Sequence, residues 1–377
     1  MSPDPPADET DLAALRDAVR KLLAAAYPPQ ERRRLLSDPL GYDRGMWRTM
    51  ADGLGLLGLG IPEQYGGSGA SASAVQTVFS ELGAALYSGP YFACAGLAVP
   101  ALLAVADEPS RAEFLPAIAE GSLIVTLATT EPRRGWDIGD VETQACLGES
   151  GDWLLTGTKA YVVDAATAGV VLVSARTPDG IGLFAVDPDA AGVSVRPVPG
   201  LDLTRRLATV ELAGARARRL SGDDDAVAGL DRARSASMIA LTAEQVGGAT
   251  ACLDMAVGYA RQRYQFGRPI GQFQSIKHLC ADMLVDLESA GALAHDLARA
   301  ADAGEDMALP AAMAKALCSD VYFSVAARTI QIHGGIGFTW EHDAHLYYRR
   351  AKSAQLMFGD GAWQRRRVAG LLGLLVA

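Results

Sequence analysis

The sequence is poor in the residues that build disulfide frameworks and metal centres. Its five cysteines lie far apart and form no CxxC pair; they are Cys94, Cys146, Cys252, Cys280 and Cys318. This usage is typical of a reducing compartment, in which each cysteine acts as a small hydrophobic residue. The five histidines form no HExxH pattern and have no cysteine partner. We therefore predict no metal site.

The chain also lacks a long hydrophobic run and an excess of positive charge. Its longest apolar run is the last ten residues, VAGLLGLLVA, whereas a helix needs about 20 apolar residues to span a bilayer. The N-terminal MSPDPPADET is acidic and rich in proline, unlike a secretory leader. The 34 basic and 44 acidic residues give a net charge of −10, which argues against nucleic acid as a partner. We predict a cytoplasmic protein without a membrane span.

Three stretches of different residue pattern follow one another along the chain. Apolar residues at helical spacing run from Asp11 to about residue 120. Residues 121–217 instead contain short β-branched runs, such as WLLTGTKAYVV and GVVLVSA, separated by turn residues. Helical periodicity returns from Val227, after the polar SGDDD. We predict an α+β protein with an all-helical domain over residues 1–120, an antiparallel β-domain over 121–220 and a helical domain over 221–377.

Residues 259–283, YARQRYQFGRPIGQFQSIKHLCADM, bring together groups that suit a flat, phosphorylated ligand. Gly267 and Pro269 break a helix that begins this stretch, and a second helix follows. The elbow between the helices is predicted to hold a cation, an aromatic ring and amide groups close together. These groups belong to Arg263, Gln265, Phe266 and Gln274. The alternative is an ordinary helix hairpin with Phe266 in the core.

Five motifs, spread over nearly the whole chain, together resemble the acyl-CoA dehydrogenase family. They are IPEQYGG (61–67), TTEPRRGWD (129–137), LTGTKAYV (155–162), the stretch at 259–283 and QIHGGIGFTWEHDAHLYYRRAK (331–352). The resemblance implies a helical domain, a middle β-domain and a C-terminal four-helix bundle, assembled as a homotetramer or heterotetramer. It also implies FAD between the β-domain of one subunit and the bundle of its neighbour. The implied partners are an acyl-CoA or acyl-carrier thioester and an electron-accepting flavoprotein.

The same resemblance assigns residues to the FAD site from both sides. On the bundle it implies contacts from Arg263, Gln265, Phe266, Gln274, Gln331, Gly334 and Gly335. On the β-domain it implies Thr130, Trp136, Tyr161 and Val163 at the flavin ring. Trp136 stands where the family has a serine, Tyr161 where it has a tryptophan, and Val163 where a threonine usually bonds the flavin. For Gly334 and Gly335 the other interpretation is the end of a helix, and the two interpretations are compatible.

The usual catalytic glutamate is absent from both positions that the family uses. One position holds Phe358 and the other holds Ser237. Two acids lie near them, Asp360 and Glu244. Because Glu244 sits in the apolar run MIALTAEQVGG, we predict a buried carboxylate with a raised pKa. Its functional role would be that of a general base or of a polar anchor in the acyl pocket. The alternatives are a structural glutamate paired with an arginine or a backbone group, and a turn or helix cap for Asp360.

Two functional hypotheses follow from these residues. The first is an FAD-dependent oxidoreductase that introduces an α,β double bond into an acyl thioester, with Glu244 or Asp360 as the base. The second is a non-catalytic subunit of a mixed assembly, which lends the bundle half of the site to a partner's FAD. Trp136, Val163 and Phe358 favour the second hypothesis, because all three depart from the family pattern on the chain's own flavin or substrate side.

Overall fold

The three-part α+β architecture predicted from the sequence is confirmed. The computed structural model describes residues 9–132, 135–149, 151–222 and 226–374. Helices come first, seven strands follow from Val125 to Arg219, and long helices resume at Val227. The prediction for residues 1–8 as a lead-in lies outside the described residues.

The N-terminal part contains six α-helices and two π-helical segments. The helices are α1 (Glu9–Ala26), α2 (Pro29–Leu36), α3 (Arg44–Arg48), α4 (Ala72–Ala84), α5 (Val99–Val105) and α6 (Glu108–Ala119). The π-helical segments are Thr49–Gly53 and Phe92–Ala98. Side chains fix several starts: Ser71 accepts a hydrogen bond from Ala74 N at α4, and Asp107 accepts one from Ser110 N at α6. Both are preferred N-cap residues, because their oxygens satisfy free N–H groups of the first turn.

The middle part is a seven-stranded sheet that closes on itself. Its strands are β1 (Val125–Ala128), β2 (Gln144–Leu147), β3 (Trp153–Val163), β4 (Val170–Thr177), β5 (Gly180–Val186), β6 (Val193–Val198) and β7 (Leu207–Arg219). The sheet closes because β5 pairs with both β7 and β4, while β6 pairs with β7. Most pairs are antiparallel, as predicted, but β1 pairs with β4 in parallel. The chain can return in the same direction there because β2 and β3 intervene.

The C-terminal part is built from three long helices and two shorter ones. They are α7 (Val227–Gln262), α8 (Gln274–Asp302), α9 (Ala308–His333), α10 (Ala344–Leu356) and α11 (Gly361–Leu371). Between α7 and α8 lies a hairpin of β8 (Tyr264–Gln265) and β9 (Arg268–Pro269). None of the described helices is long and apolar enough to cross a membrane.

A close crossing of α4 and α7 joins the first and third parts. A Cβ atom on Gly83 would lie 2.2 Å from the carbonyl oxygen of Glu244, and one on Gly247 would lie 1.9 Å from that of Ser80. Only glycine permits this approach, because any side chain would collide with the facing backbone. The crossing holds Glu244 against the N-terminal helices. The largest hydrophobic core is continuous across these helices, one face of the sheet and the first half of α7, and a separate cluster fills the other face of the sheet.

The cysteines divide between the core and the surface. Cys94, Cys252 and Cys318 are buried, and burial raises the pKa of each thiol. Cys146 is exposed on β2, so the prediction that every cysteine acts as a buried hydrophobic residue is wrong for this one. Among the described residues, no three His, Cys, Asp or Glu side chains come together in a way that could hold a metal ion.

Candidate functional site

A cavity of about 450 Å³ lies between the β-domain and the end of α10. It unites six residues that the sequence placed on the chain's own flavin or substrate side. These are Thr130, Trp136, Tyr161, Val163, Phe358 and Asp360. The rest of the wall is mainly aliphatic and includes Leu97, Leu201, Leu356 and Met357. A cavity of this size, with an apolar wall and few polar groups, is typical of a small-molecule site.

Strand β3 presents Tyr161 to this cavity through an irregularity in its pairing. The register of β3 against β7 shifts between Lys159 and Val162, and Tyr161 has a φ of +56°. Such bulges redirect a side chain and often border functional sites. The Tyr161 ring is 58% exposed, whereas Val163 is buried and its carbonyl accepts a hydrogen bond from the Thr126 hydroxyl. Because Val163 has no hydroxyl, it cannot supply the flavin contact that a threonine gives.

A buried ion pair supports the loop that carries Trp136. Glu131 accepts hydrogen bonds from the N–H groups of Glu142 and Thr143, from the Thr143 hydroxyl and from Lys159. Lys159 is fully buried, and burial lowers its pKa to about 8 although Glu131 opposes that shift. Sequence reasoning did not assign these residues a role. The TTEP stretch and the lysine of LTGTK were the signals that could have found them.

Phe358, which the resemblance aligns with a catalytic glutamate, is strained. Phe358 has a φ of +57°, which costs an ordinary residue free energy. Its ring lies edge-on to Trp136, with 6.5 Å between ring centroids. Two side chains hydrogen-bond to the backbone of this segment: Gln364 Nε2 donates to Phe358 O at 2.7 Å, and Lys315 Nζ donates to Gln355 O at 3.1 Å. Burial lowers the pKa of Lys315 to about 7.

Glu244 is buried, as predicted, but it is fully engaged by two arginines. Arg205 Nη2 donates to its two carboxylate oxygens at 2.6 and 2.5 Å, and Arg350 Nη1 donates to Oε1 at 2.8 Å. Burial alone would raise the pKa of Glu244, yet the two guanidinium groups outweigh it and the pKa is lowered. The predicted raised pKa is therefore wrong. Glu244 does not line the cavity of about 450 Å³.

Arg350 links this carboxylate to all three parts of the chain. It donates to the Thr204 hydroxyl and carbonyl in the loop after β6, and to Tyr87 O in the N-terminal part. Its Nε also lies 3.1 Å from Asp202 Oδ2. An ion pair this deeply buried contributes to specificity of packing more surely than to stability, but losing one member leaves an uncompensated charge.

Asp360, the other candidate for the base, and Ser237 both occupy ordinary structural positions. Asp360 is the N-cap of α11 and accepts a hydrogen bond from Trp363 N at 2.8 Å. It is exposed at the wall of the cavity. Ser237, at the second family position, is buried within α7 and donates to Ala233 O at 2.9 Å. It does not line the cavity.

The bundle residues assigned to FAD form a separate, exposed set. Arg263, Gln265, Phe266, Gln274, Gln331, Gly334 and Gly335 are all exposed, and none lines the cavity. The hairpin replaces the predicted elbow: α7 ends at Gln262, and Arg263 is already extended. Phe266 and Gly267 have φ values of +54° and +75°, as in a type I′ turn. The alternative that placed Phe266 in the core is wrong, since its side chain is 91% exposed.

The reason for glycine differs between positions 334 and 335. Gly334 ends α9 with a φ of +62°, a conformation that favours glycine, so the predicted helix end is confirmed. Gly335 has no such φ, and a Cβ atom there would meet nothing within 4 Å. Neither backbone strain nor packing within the described chain requires glycine at this position. A group from outside the chain that approaches the backbone would require it.

The fold matches that of solved proteins along nearly the whole chain. A glutaryl-CoA dehydrogenase from Mycobacterium smegmatis in complex with FADH2 matches the structure with a TM-score of 0.88. The match covers 98% of this chain and 96% of that chain at 22% identity. At this identity the likeness concerns the fold.

The chain belongs to the acyl-CoA dehydrogenase family, whose members typically bind FAD. The family models match residues 9–122 as the N-terminal domain, 126–213 as the middle domain and 226–372 as the C-terminal domain. Acyl-CoA dehydrogenase IpdE2 of Mycolicibacterium smegmatis is 34% identical over 94% of this chain and 96% of its own length. The ChsE4–ChsE5 complex from Mycobacterium tuberculosis is 28% identical, with a TM-score of 0.89 over 98% of this chain and 99% of that chain.

Proposed function

We propose that this chain is one subunit of a heteromeric acyl-CoA dehydrogenase. It lends its bundle half to the FAD of a partner chain and leaves the general base to that partner. The observation that carries this proposal is the double clamp on Glu244. A carboxylate held by Arg205 and Arg350, with a lowered pKa and no access to the cavity, is a poor proton acceptor.

The exposed bundle set supports the lending role. Arg263 makes no ion pair with any described residue, so its guanidinium is available for a diphosphate. Phe266 offers an aromatic face, and Gln274 and Gln331 offer amide donors. Gly335 leaves the backbone open to close approach. These residues fit the dinucleotide part of FAD, and none of them lines the chain's own cavity.

The chain's own cavity is poorly equipped for the complete reaction. FAD, when bound in this family, accepts the hydride that accompanies α,β-desaturation of an acyl thioester on CoA or a carrier protein. The side chains present here would orient and shield such a ligand: Tyr161 offers a ring, and the Trp136–Phe358 pair excludes water. No free carboxylate stands at the position of Phe358. In the proposed assembly, electrons pass to an acceptor flavoprotein from the partner's site.

The relatives support a mixed assembly. ChsE4–ChsE5 is a complex of two named chains, and it matches this chain along nearly its whole length. We infer a heterotetramer by analogy with the tetramers of the family. One type of subunit would carry a flavin site with a base, and the other type would carry a site without one.

Flavin content separates the two functional hypotheses. Expressed alone, the chain is expected to purify colourless. Coexpressed with a family member from the same genome that carries glutamate at the position of Phe358 or Ser237, it should yield a yellow complex with about one FAD for each pair of chains. The measurement is absorbance of released flavin against protein concentration. A yellow protein with one FAD per chain, obtained without a partner, would contradict the proposal.

Asp360 carries the second candidate function, an independent desaturase, because it is exposed at the cavity wall. Asp360→Asn removes the ionisable group and keeps the cap, since asparagine caps helices as well as aspartate does. Under our proposal, turnover and stability of the complex stay near those of the parent. Under the second candidate, turnover falls by about two to four orders of magnitude. Asp360→Ala is the control for the cap and should cost about 0.5–2 kcal/mol of stability.

A further inference from the structure

A second, much smaller space lies directly behind the cavity. This chamber has a volume of about 10 Å³ and is lined by residues that include Phe92, Tyr87 and Glu244. That volume is close to the minimum for a single water molecule. Residues close together in the sequence line the two spaces. Those that line the cavity are Leu97, Val163, Asp202 and Ser353, and their neighbours that line the chamber are Phe92, Asp164, Thr204 and Arg350. The two spaces therefore lie back to back.

Arg205 forms the partition between the two spaces. Its Nη1 donates to the sulfur of Met357 at 3.5 Å, and Met357 lines the cavity. Its guanidinium carbon lies 4.0 Å from the ring centroid of Phe92, and its Nη2 binds Glu244. Phe92 and Glu244 line the chamber. One side chain thus touches the wall residues of both spaces.

The partition is fixed in place by charge. The Arg205 side chain is only 3% exposed, and Glu244 is its carboxylate partner. If Arg205 swung away to admit a ligand, it would leave Glu244 with Arg350 as its remaining cation and would bury an unpaired guanidinium elsewhere. An apolar acyl chain supplies no charge to replace this partner. Arg205 should therefore stay in place, and the partition should remain intact, when a ligand enters the cavity.

We propose that Arg205 is a specificity-determining residue that closes the inner end of the chain's own cavity to a long acyl group. The inference rests on the proposed function only for the ligand class, an acyl thioester. An acyl chain in the cavity would meet Met357, and the guanidinium of Arg205 lies directly behind that side chain. Removing the guanidinium, together with the charge of its partner, would join the cavity and the chamber into one deeper pocket.

The test compares two double variants of the full-length chain. Arg205→Ala/Glu244→Gln removes the wall and keeps the buried charges balanced, because Arg350 retains Asp202. Arg205→Met/Glu244→Gln makes the same change of charge but keeps most of the bulk, so it is the matched control. Binding of straight-chain acyl-CoA from C4 to C16 is measured by calorimetry on each protein and on the parent. This readout needs neither flavin nor a partner chain, so its result is independent of the flavin-content experiment.

In the parent and in the methionine control, we expect the affinity for acyl-CoA to rise with acyl length only for short chains. For longer chains it should stay constant, or binding should be absent. In the alanine variant the affinity should continue to rise by about fourfold for each further buried methylene. Equal chain-length profiles in the two double variants, or no binding to either, would overturn the proposal. So would a parent whose affinity rises steadily up to C16. If the alanine variant does not fold, a steady rise in affinity up to C16 in the parent or in the methionine control still overturns the proposal.

Discussion

Glu244→Gln should unfold with a free energy about 3–5 kcal/mol below that of the parent, the cost of removing one member of a buried ion pair. The glutamine leaves Arg205 and Arg350 buried, with Asp202 and Asp164 as nearby carboxylates. Turnover per folded complex should be unchanged, because Glu244 does not line the cavity. The measurements are the urea midpoint and the specific activity of the folded fraction.

Glu113→Gln is the matched control for this prediction. Glu113 pairs with Arg218 at 2.7 Å on the surface, with both side chains about half exposed. Exposed pairs contribute about 0–1 kcal/mol, so this variant should unfold close to the parent. A stable Glu244→Gln protein whose turnover falls by two or more orders of magnitude would instead identify Glu244 as the base.

The difference in unfolding free energy between the parent and the Glu244→Gln variant should also depend on pH. The pKa of Glu244 is lowered in the folded state, so its contribution is complete above the unfolded-state value of about 4.3 and is lost as pH falls below it. Glutamine does not titrate. The difference in unfolding free energy between the parent and Glu244→Gln should therefore narrow as the pH falls below about 4.3. Urea unfolding of both proteins at pH 7, 5, 4 and 3.5 measures this change.

Arg263→Ala should weaken FAD binding by the purified assembly about 10- to 100-fold, since hydrogen bonds to charged groups contribute about 1.5–3 kcal/mol. The guanidinium is exposed and makes no ion pair with any residue that the structure describes, so its loss should leave the melting temperature unchanged. Arg263→Lys keeps the charge without the planar fork and should fall between parent and alanine. Fluorescence titration of the dialysed assembly with FAD gives the dissociation constants.

Arg261→Ala provides the control for this effect. Arg261 is also exposed and lies in the last turn of α7, two residues before Arg263. It is not part of the set assigned to FAD, so its substitution tests whether loss of any nearby positive charge is sufficient. Equal FAD affinity in the Arg261→Ala and Arg263→Ala assemblies would remove Arg263 from the binding site.

The change of residue pattern along the chain was enough to predict the fold, but local signals did not predict the hairpin. Helical spacing and β-branched runs are each repeated over many residues, so the order of the three parts is strongly determined. The turn of the hairpin depends on two residues with positive φ, Phe266 and Gly267. Asn-Gly or Asp-Gly would have indicated such a turn, whereas phenylalanine rarely adopts this conformation.

The cavity was partly predictable, and an arginine partner for Glu244 was one of the predicted alternatives, but the identity of its arginines was not predictable. Motif positions brought Thr130, Tyr161 and Phe358 to one wall, because the family resemblance carries their places along the sequence. The apolar context of Glu244 indicated burial, but its partners lie 39 and 106 positions away, at Arg205 and Arg350. With 29 arginines in the chain, sequence alone could not select these two, and without them the direction of the pKa shift was wrong.

The loop at Phe358 has an evolutionary consequence. Lys315 and Gln364 hold the backbone of this loop by donating hydrogen bonds to the carbonyls of Gly359 and Phe358. Because the positive φ is a property of this backbone, phenylalanine and glutamate would bear similar strain there. The loop can therefore exchange the side chain that it presents without being rebuilt. A duplicated chain of this kind could lose its acid by one substitution while keeping its fold and its bundle surface. Division of labour between two sister subunits is then a short step from a single self-sufficient ancestor.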